Sequence, residues 1–414
     1  MTKVLLGVLV VTALSVQTAG AKTLEDVLKE KGVITEEDYK EVTKSKPLDY
    51  KLGKGFTFTS PDEKFQLSLG GRMQFRYNYF DNAGRQDVSQ IQPKRIKLYT
   101  SGYAYTKDLT YVFQADFVNG SKPTLLDDAY LNYRLIDEVQ VRFGQGKTPF
   151  VRQEIISDGN LQFVDRSPVA DNFKHGRDAG AMLNGKIANG LAYYALGIFN
   201  GAGQSTLRSN SSVTANDNAF VARVAVNPLG DVAYTEADLD HSDKPLLSIG
   251  SSFLCNTLRK SSAAAFADVD ATATSYFGKG WLGSGATRFN ASERVNINAY
   301  GFDAAFKWMG FSAQGEYLAG QADGQTTHNT LRAQGFYAQT GYTIIPKKLE
   351  AGFRYSYYDP DRDVANNLLT EVAGVVSYYF DKHNLKLQAD VAHIYTQPAR
   401  SDDMQYRLQA QITY

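Results

Sequence analysis

The dominant pattern in this chain is an alternation of apolar and polar residues that runs from Phe65 to Tyr414. In its first stretch one face carries a row of apolar side chains: Phe65, Leu67, Leu69, Met73, Phe75, Tyr77 and Tyr79. A period of two is that of a β-strand. The stretch exceeds an ordinary strand of about five or six residues, whereas a tilted strand crossing a bilayer needs about 9–11. The pattern therefore predicts membrane-spanning strands, apolar toward lipid and polar toward a lumen.

About sixteen such segments can be placed. Their approximate spans are 65–79, 94–105, 109–117, 127–135, 139–146, 177–186, 190–199, 219–227, 246–254, 295–307, 310–318, 331–343, 348–358, 368–380, 385–395 and 404–414. Short and long connections alternate between them, as periplasmic turns and outer loops do in bacterial barrels. The connection 228–245 is the exception, because it is long and yet falls on the periplasmic side. The predicted fold is all-β, a transmembrane antiparallel barrel of about sixteen strands.

Composition and the C-terminus favour the same fold. The chain holds 26 Tyr, 23 Phe and 35 Gly, which suits strands and the turns between them. Alternation continues to the terminal Tyr414, as is common in outer-membrane barrels. A soluble β-sandwich is the alternative, but each apolar strand face would then need an opposing sheet.

The N-terminus predicts export and a short helical arm. Residues 1–21 combine Lys3, an apolar run and Ala19-Gly20-Ala21, the features of a cleaved signal peptide. Residues 22–50 are predicted as a helical periplasmic arm, with Thr35 capping a second helix. This arm is either solvated or an oligomerisation element. Residues 51–414 form the predicted barrel, which places the protein in the cell outer membrane.

Other classes of site find little support. Net charge is zero, and basic residues form no nucleic-acid patch. The single Cys255 cannot make an intrachain disulfide, and the five histidines lack metal-ligand spacing. No cofactor, metal site or catalytic site is therefore expected, and the protein is not expected to be an enzyme. A barrel hydrolase would instead show a serine hydroxyl beside His383 or His393.

Six short motifs occur along the predicted barrel in a fixed order. They are Ser68-Leu69-Gly70-Gly71-Arg72, Lys94-Arg95, Asp127-Asp128-Ala129-Tyr130, the run from Phe143 to Phe150, the run from Phe311 to Leu318, and the run from Gly335 to Gln339. In this order and spacing they resemble the phosphate-selective porin O/P family across roughly 65–414. The resemblance implies a homotrimer of sixteen-stranded barrels in outer-membrane lipid, with one loop folded inward and an anion pathway lined by Arg and Lys. The chain departs from the family at Ala319-Gly320-Gln321, where phosphate channels carry basic residues, and at Lys94, which replaces an arginine.

Strand parity selects the residues that face the lumen. A charge on the lipid face costs about 2–4 kcal/mol near the midplane, so the cations must point inward. Arginine presents a fork of donors that matches phosphate, and rows of Arg and Lys select anions. The predicted anion pathway comprises Arg72, Arg76, Lys94, Arg95, Lys97, Arg142, Lys147, Arg177 and Arg223.

The alternative role for these cations is to brace the wall against inward-facing carboxylates. Those carboxylates are Asp116, Asp128, Glu316, Glu350 and Asp390. The segment 147–176 either folds inward and sets the pore size or lies outside as an ordinary loop. The predicted function is passive diffusion of small anions, with phosphate favoured. A weakly selective diffusion porin is the second reading, and a structural barrel with a closed lumen is the third.

Overall fold

The structure is a computed structural model that describes residues 24–43, 48–118, 125–201, 203–204, 218–259, 280–284, 286–290, 293–397 and 401–414. The chain divides into two compact units, 1–47 and 48–414. The predicted signal peptide lies outside the described residues. No helix in the described ranges is long and apolar enough to cross a membrane.

The first unit contains two short helices, α1 (Leu24–Glu30) and α2 (Glu36–Thr43). Thr35 caps α2 as predicted: its Oγ1 accepts a hydrogen bond from the Asp38 amide at 3.1 Å, and the Asp38 carboxylate accepts one from the Thr35 amide at 3.0 Å. This reciprocal pair satisfies two backbone donors at the start of the helix.

The second unit is a closed antiparallel barrel. It begins with a hairpin, β1 (Leu48–Lys51) and β2 (Gly55–Thr59). The sixteen barrel strands are β3 (Phe65–Asp81), β4 (Val88–Ala104), β5 (Thr106–Asp116), β6 (Leu126–Ile136), β7 (Val139–Lys147), β8 (Arg177–Ile187), β9 (Ala192–Phe199), β10 (Ala219–Val226), β11 (Leu246–Arg259), β12 (Arg294–Trp308), β13 (Phe311–Gly324), β14 (Thr330–Ile345), β15 (Leu349–Asp359), β16 (Leu369–Asp381), β17 (Leu385–Thr396) and β18 (Ser401–Thr413). They correspond one for one to the predicted segments.

The barrel closes where β18 pairs with β3, from Thr413 opposite Arg72 to Met404 opposite Asp81. The terminal residue completes this seam, because the Gly71 amide donates to the Tyr414 carbonyl oxygen at 2.9 Å. Near the start of β3, residues 66–69 pair with β2 instead. Gly55 permits this pairing: its φ is +76°, and a Cβ there would lie 1.9 Å from the Leu69 carbonyl oxygen.

The two faces of the wall differ as the alternation predicts. Phe75 is 48% exposed on the outside, whereas its neighbour Arg76 is 3% exposed on the inside. The same contrast recurs around the barrel, with apolar side chains outward and polar side chains inward. This is the arrangement of a barrel in lipid.

One departure from strict alternation lies in β4. The β3–β4 register shifts between Gln74, opposite Arg95, and Phe75, opposite Pro93, so Lys94 is an extra residue. Such a β-bulge lets consecutive residues approach the same side of a sheet. Lys94 and Arg95 consequently both line a cavity in the lumen.

Candidate anion pathway

The connection 148–176, termed the constriction loop here, lies inside the barrel. It includes two short helices, α3 (Arg152–Ile155) and α4 (Pro168–Phe173). The α3 backbone is fixed to β13, because the Arg152 and Gln153 amides each donate to the Glu316 carboxylate at 2.7 Å. Of the two positions expected for this segment, the inward one is observed.

The middle of the constriction loop is bound to strands on the far wall. Gln162 Nε2 donates to Glu350 at 2.6 Å, and its carbonyl oxygen accepts from Gln388 Nε2 at 2.9 Å. The Val164 amide donates to Asp390 at 3.2 Å. These contacts hold the loop across the lumen, so it narrows the passage.

A second segment, 227–245, enters the lumen from the end of the barrel where short turns join the strands. It is termed the turn-end segment. Its Glu236 carboxylate accepts from the Gln162 amide at 2.6 Å and from Gln153 Nε2 at 2.8 Å, which joins it to the constriction loop. Asp238 accepts from the Gly310 amide at 2.8 Å in the neighbouring turn. The connection that broke the predicted alternation of loop lengths is therefore a folded part of the lumen. Its length was the only sequence signal of this role.

A cavity of about 560 Å³, termed the outer cavity, lies between the β4 wall and the constriction loop. Seven of its lining residues are cations: Lys94, Arg95, Lys97, Lys147, Arg166, Lys174 and Arg177. Five are carboxylates: Asp116, Asp127, Glu154, Asp158 and Asp171. The lining is therefore net basic, and most of its cations face a carboxylate.

Asp158 of the constriction loop lies against three predicted pathway residues. It contacts Arg95 Nε at 2.8 Å and Lys97 Nζ at 2.9 Å, and it forms a short ion pair with Arg72. Arg72 also donates to Ser157 Oγ at 3.0 Å. Burial alone would raise the pKa of Asp158, but these cations hold the pKa well below its usual range. The carboxylate is an internal anion seated in a cage of cations.

Asp165 forms a similar contact farther along the loop. Its carboxylate lies 2.5 Å from Arg76 Nη1, 3.5 Å from Arg407 Nη1 and 3.9 Å from Arg95 Nη2. Burial would raise the pKa of Asp165, but the cations, Arg76 foremost, hold the pKa well below its usual range. Arg76 therefore anchors the loop, and Arg407 of β18 assists it.

Two predicted pathway residues bind carboxylates of the wall itself. Lys97 Nζ lies 2.8 Å from Asp127 and 3.8 Å from Asp116. Arg177 donates two hydrogen bonds to Asp128, each 3.0 Å long. Both cations line the outer cavity, although their charge is largely compensated.

Lys94 and Lys147 line the outer cavity and have no carboxylate oxygen within ion-pair distance among the described residues, although Asp165 and Glu154 respectively attract them at longer range. Lys94 makes no ion pair there. Lys147 Nζ donates to the carbonyl oxygens of Glu154 at 2.5 Å and Ile156 at 2.9 Å. The neighbouring Glu154 carboxylate binds Arg166 instead, at 3.0 Å. Burial would raise the pKa of Glu154, but Arg166 and other cations lower it to about 2.

A second cavity of about 630 Å³, termed the inner cavity, lies on the turn side of the constriction loop. Lys147 lines both cavities. Arg142 faces the inner cavity, with its guanidinium 4.3 Å from the centre of the Tyr130 ring. Across the described residues Arg142 makes no ion pair.

The last predicted pathway residue, Arg223, lies outside the linings of both cavities. It is almost fully buried and donates to both oxygens of Asp303, at 2.7 and 2.9 Å. A similar brace that the prediction omitted is Arg152, which is 1% exposed and lies 3.5 Å from Asp303. Arg152 belongs to an irregular loop, where strand parity gives no signal.

The position where the family carries basic residues is occupied differently in this chain. Gly320 faces Trp281 of α5 (Trp281–Ser284), and a Cβ on Gly320 would meet the indole ring at 2.7 Å. Trp281 stacks on Phe173 of the constriction loop with ring centres 5.8 Å apart. An aromatic pair therefore takes the space above this part of the wall.

The histidines singled out for a hydrolase contact other groups. His383 Nδ1 lies 3.3 Å from Lys386 Nζ, and His393 Nε2 forms a short contact with Asp402. Among the described hydrogen bonds, neither histidine has a serine partner.

Comparisons with known proteins assign the chain to a family. Residues 67–414 match the family described as phosphate-selective porin O and P. The chain is 25% identical over 364 residues to porin O of Pseudomonas aeruginosa, covering 81% of this chain and 76% of the relative.

Two solved structures share the fold. An anion-selective porin from Comamonas acidovorans has a TM-score of 0.53 and 10% identity, over 84% of this chain and 100% of that chain. The trimer form of OmpT from Vibrio cholerae has a TM-score of 0.53 and 10% identity, over 84% and 99%. The chain therefore belongs to the phosphate-selective porin O and P family and is an anion-selective β-barrel porin of the outer membrane.

Proposed function

We propose that phosphate is the favoured ion, and that it passes from the outer cavity to the inner cavity along the predicted basic residues. The observation that carries the proposal is the position of Lys94, Lys147 and Arg142. These cations line the two cavities, and none has a carboxylate oxygen within ion-pair distance among the described residues. They provide positive charge that a diffusing anion can use.

Most cations along the proposed route are paired with carboxylates, and this pairing lowers the positive potential that an anion meets. A single charge pair at about 4 Å is worth about 4 kcal/mol at an effective dielectric near 20, so a long ladder of free arginines would trap a dianion. In this chain the carboxylates Asp158 and Asp165 moderate that field. Conduction requires binding that is weak or divided enough to allow release. A few free cations among many paired ones meet this requirement.

The test is phosphate block of the chloride current through the purified porin in a planar bilayer. The Lys94→Gln variant removes one free cation, and we expect about tenfold weaker block, or about 1.4 kcal/mol, a fraction of the charge-pair energy. Lys107→Gln is the matched control, because this exposed lysine pairs with Glu63 at 2.8 Å and lines neither cavity. Equal phosphate block in wild type and Lys94→Gln would contradict the proposed route.

A weakly selective diffusion porin is the competing function, and the same membranes distinguish it. A reversal potential that shows preferential anion flow, without block by phosphate, would favour the weakly selective porin. A reversal potential that shows preferential cation flow would contradict anion selectivity altogether.

The proposed assembly is a homotrimer embedded in outer-membrane lipid. Support comes from the apolar outer wall, on which Phe75 is 48% exposed, and from the trimer form of the OmpT structure. Light scattering of the detergent-solubilised protein, corrected for bound detergent, should give three times the chain mass. A monomer mass would contradict the trimer.

A further inference from the structure

We propose that the inner cavity is a separate binding station for aromatic carboxylates, a class of ligand distinct from phosphate. The inference rests on the barrel conducting anions, but it does not require that phosphate be the favoured one. The inner cavity lies between the β6–β8 wall and the turn-end segment, and its volume of about 630 Å³ suits a small organic ligand.

Arg142 is the group that would bind the carboxylate. Its guanidinium stacks on Tyr130 at 4.3 Å, which fixes the plane of the fork. Its Nε is buried and has no hydrogen-bond partner. Its Nη1 and Nη2 have no hydrogen-bond partner among the described residues either, and a carboxylate that enters the cavity can accept from them.

The carboxylates already in the lining do not fill this role. Asp128 binds Arg177 through two hydrogen bonds of 3.0 Å, and Asp231 forms a short ion pair with Lys186. Among the cations of this lining, Arg142 and Lys147 have no carboxylate oxygen within ion-pair distance in the described part of the chain. A monoanion entering from the outer cavity meets a free guanidinium.

Most of the rest of the lining is aromatic or apolar, and Asn184, Asn227 and Ser248 are its neutral polar members. The aromatic and apolar members include Tyr130, Pro149, Ile155, Met182, Tyr193, Val232, Ala233 and Tyr234. Tyr234 is held in place on two sides, since its ring lies 4.8 Å from the Arg152 guanidinium and its hydroxyl 3.4 Å from Arg223 Nε. Fixed aromatic faces stack on flat apolar rings, and this contributes beyond the burial of area.

These features favour an aromatic carboxylate over phosphate at this station. Phosphate is best bound by several charged donors arranged around it, whereas Lys186 of this lining is already paired with Asp231, which leaves Arg142 and Lys147. Benzoate presents a two-oxygen carboxylate to one guanidinium fork and a flat ring to the tyrosines. The outer cavity has the opposite character, with seven cations in its lining.

The test compares benzoate, cyclohexanecarboxylate and phosphate as blockers of chloride current through the full-length porin in planar bilayers. We expect Arg142→Gln to weaken benzoate block about tenfold, the value of a hydrogen bond to a charged group, and to weaken it more than phosphate block. Lys94→Gln should show the reverse preference. Benzoate should also block more strongly than cyclohexanecarboxylate, whose ring is not flat.

Controls keep the outcome interpretable. Arg134→Gln makes the same chemical change at an exposed arginine that pairs with Asp108 at 2.7 Å and lines neither cavity, so it should alter no block. Tyr193→Leu tests the station without touching a charge, should Arg142→Gln fail to fold as judged by circular dichroism. Benzoate block that is absent in wild type, or equally sensitive to Lys94→Gln and Arg142→Gln, would overturn the station. Phosphate block can persist in either case, so the failure of this inference is distinguishable from failure of the phosphate route.

Discussion

The constriction loop and the turn-end segment both carry carboxylates into the lumen, but these carboxylates have different partners. On the loop, Asp158 and Asp165 face cations of the wall. On the turn-end segment, Glu236 and Asp238 face backbone amides of Gln162 and Gly310. We therefore expect the first pair to set how much positive charge a passing anion meets, and the second pair to set where the backbone lies. On this hypothesis the contact partner, rather than the residue type, decides whether a luminal carboxylate acts on selectivity or on shape.

The largest expected effect is that of removing the internal anion of the constriction loop. Asp158→Asn leaves Arg72, Arg95 and Lys97 facing one another with less negative charge among them. Breaking a buried ion pair in this way costs about 3–5 kcal/mol. We expect a lower melting temperature in detergent, which added phosphate restores because it supplies the missing anion.

The matched control for this variant is Asp108→Asn, which disrupts an exposed pair with Arg134. Exposed pairs contribute about 0–1 kcal/mol, so its melting temperature should stay near that of wild type. If phosphate protects Asp158→Asn no more than it protects the control, then Asp158 does not occupy an anion-binding position.

The next largest effect is expected for a change that alters the shape of the lumen. Glu236→Ala removes the acceptor for the Gln162 amide and for Gln153 Nε2, both buried. Leaving a buried donor unsatisfied costs about 1–3 kcal/mol. The two inward segments should separate, and single-channel conductance in potassium chloride should rise while the reversal potential changes little.

Glu63→Ala serves as the control for conductance, because Glu63 lies in an exposed pair with Lys107 at the turn end. A Glu236→Ala channel that shifts its reversal potential as strongly as its conductance would erase the distinction between the two kinds of carboxylate.

The sequence predicted the barrel well because one physical constraint governs every strand. Lipid outside and water inside impose a period of two, so the alternation marks all sixteen strands. It fails where that constraint ends. β4 starts at Val88, six residues before its predicted start at residue 94. The early start was missed because residues 88–93 include three polar residues and a proline. The hairpin of β1 and β2 was missed because it has only four and five residues.

The site was harder to predict than the fold. Parity indicates that Arg76 and Arg223 point inward, but it cannot indicate that each meets a carboxylate, because Asp165 belongs to an irregular loop and Asp303 to a strand distant in sequence. The bulge at Lys94 likewise depends on register with β3. The pathway assignment of individual residues accordingly stays a prediction for mutagenesis.

The smallest expected effect is that of pH on the Asp158→Asn variant. The pKa of Asp158 in the folded protein lies well below the ordinary value of 3.8, because its cations outweigh the cost of burial. A depressed pKa stabilises the fold fully above the ordinary value, and the stabilisation is lost only as pH falls through the folded-state value. The difference in melting temperature between wild type and Asp158→Asn should therefore be the same at pH 7 and pH 5. Comparing the two proteins cancels the titration of other groups. A difference that shrinks at pH 5 would mean that the wild-type carboxylate is already being protonated there, which its three cationic contacts should prevent.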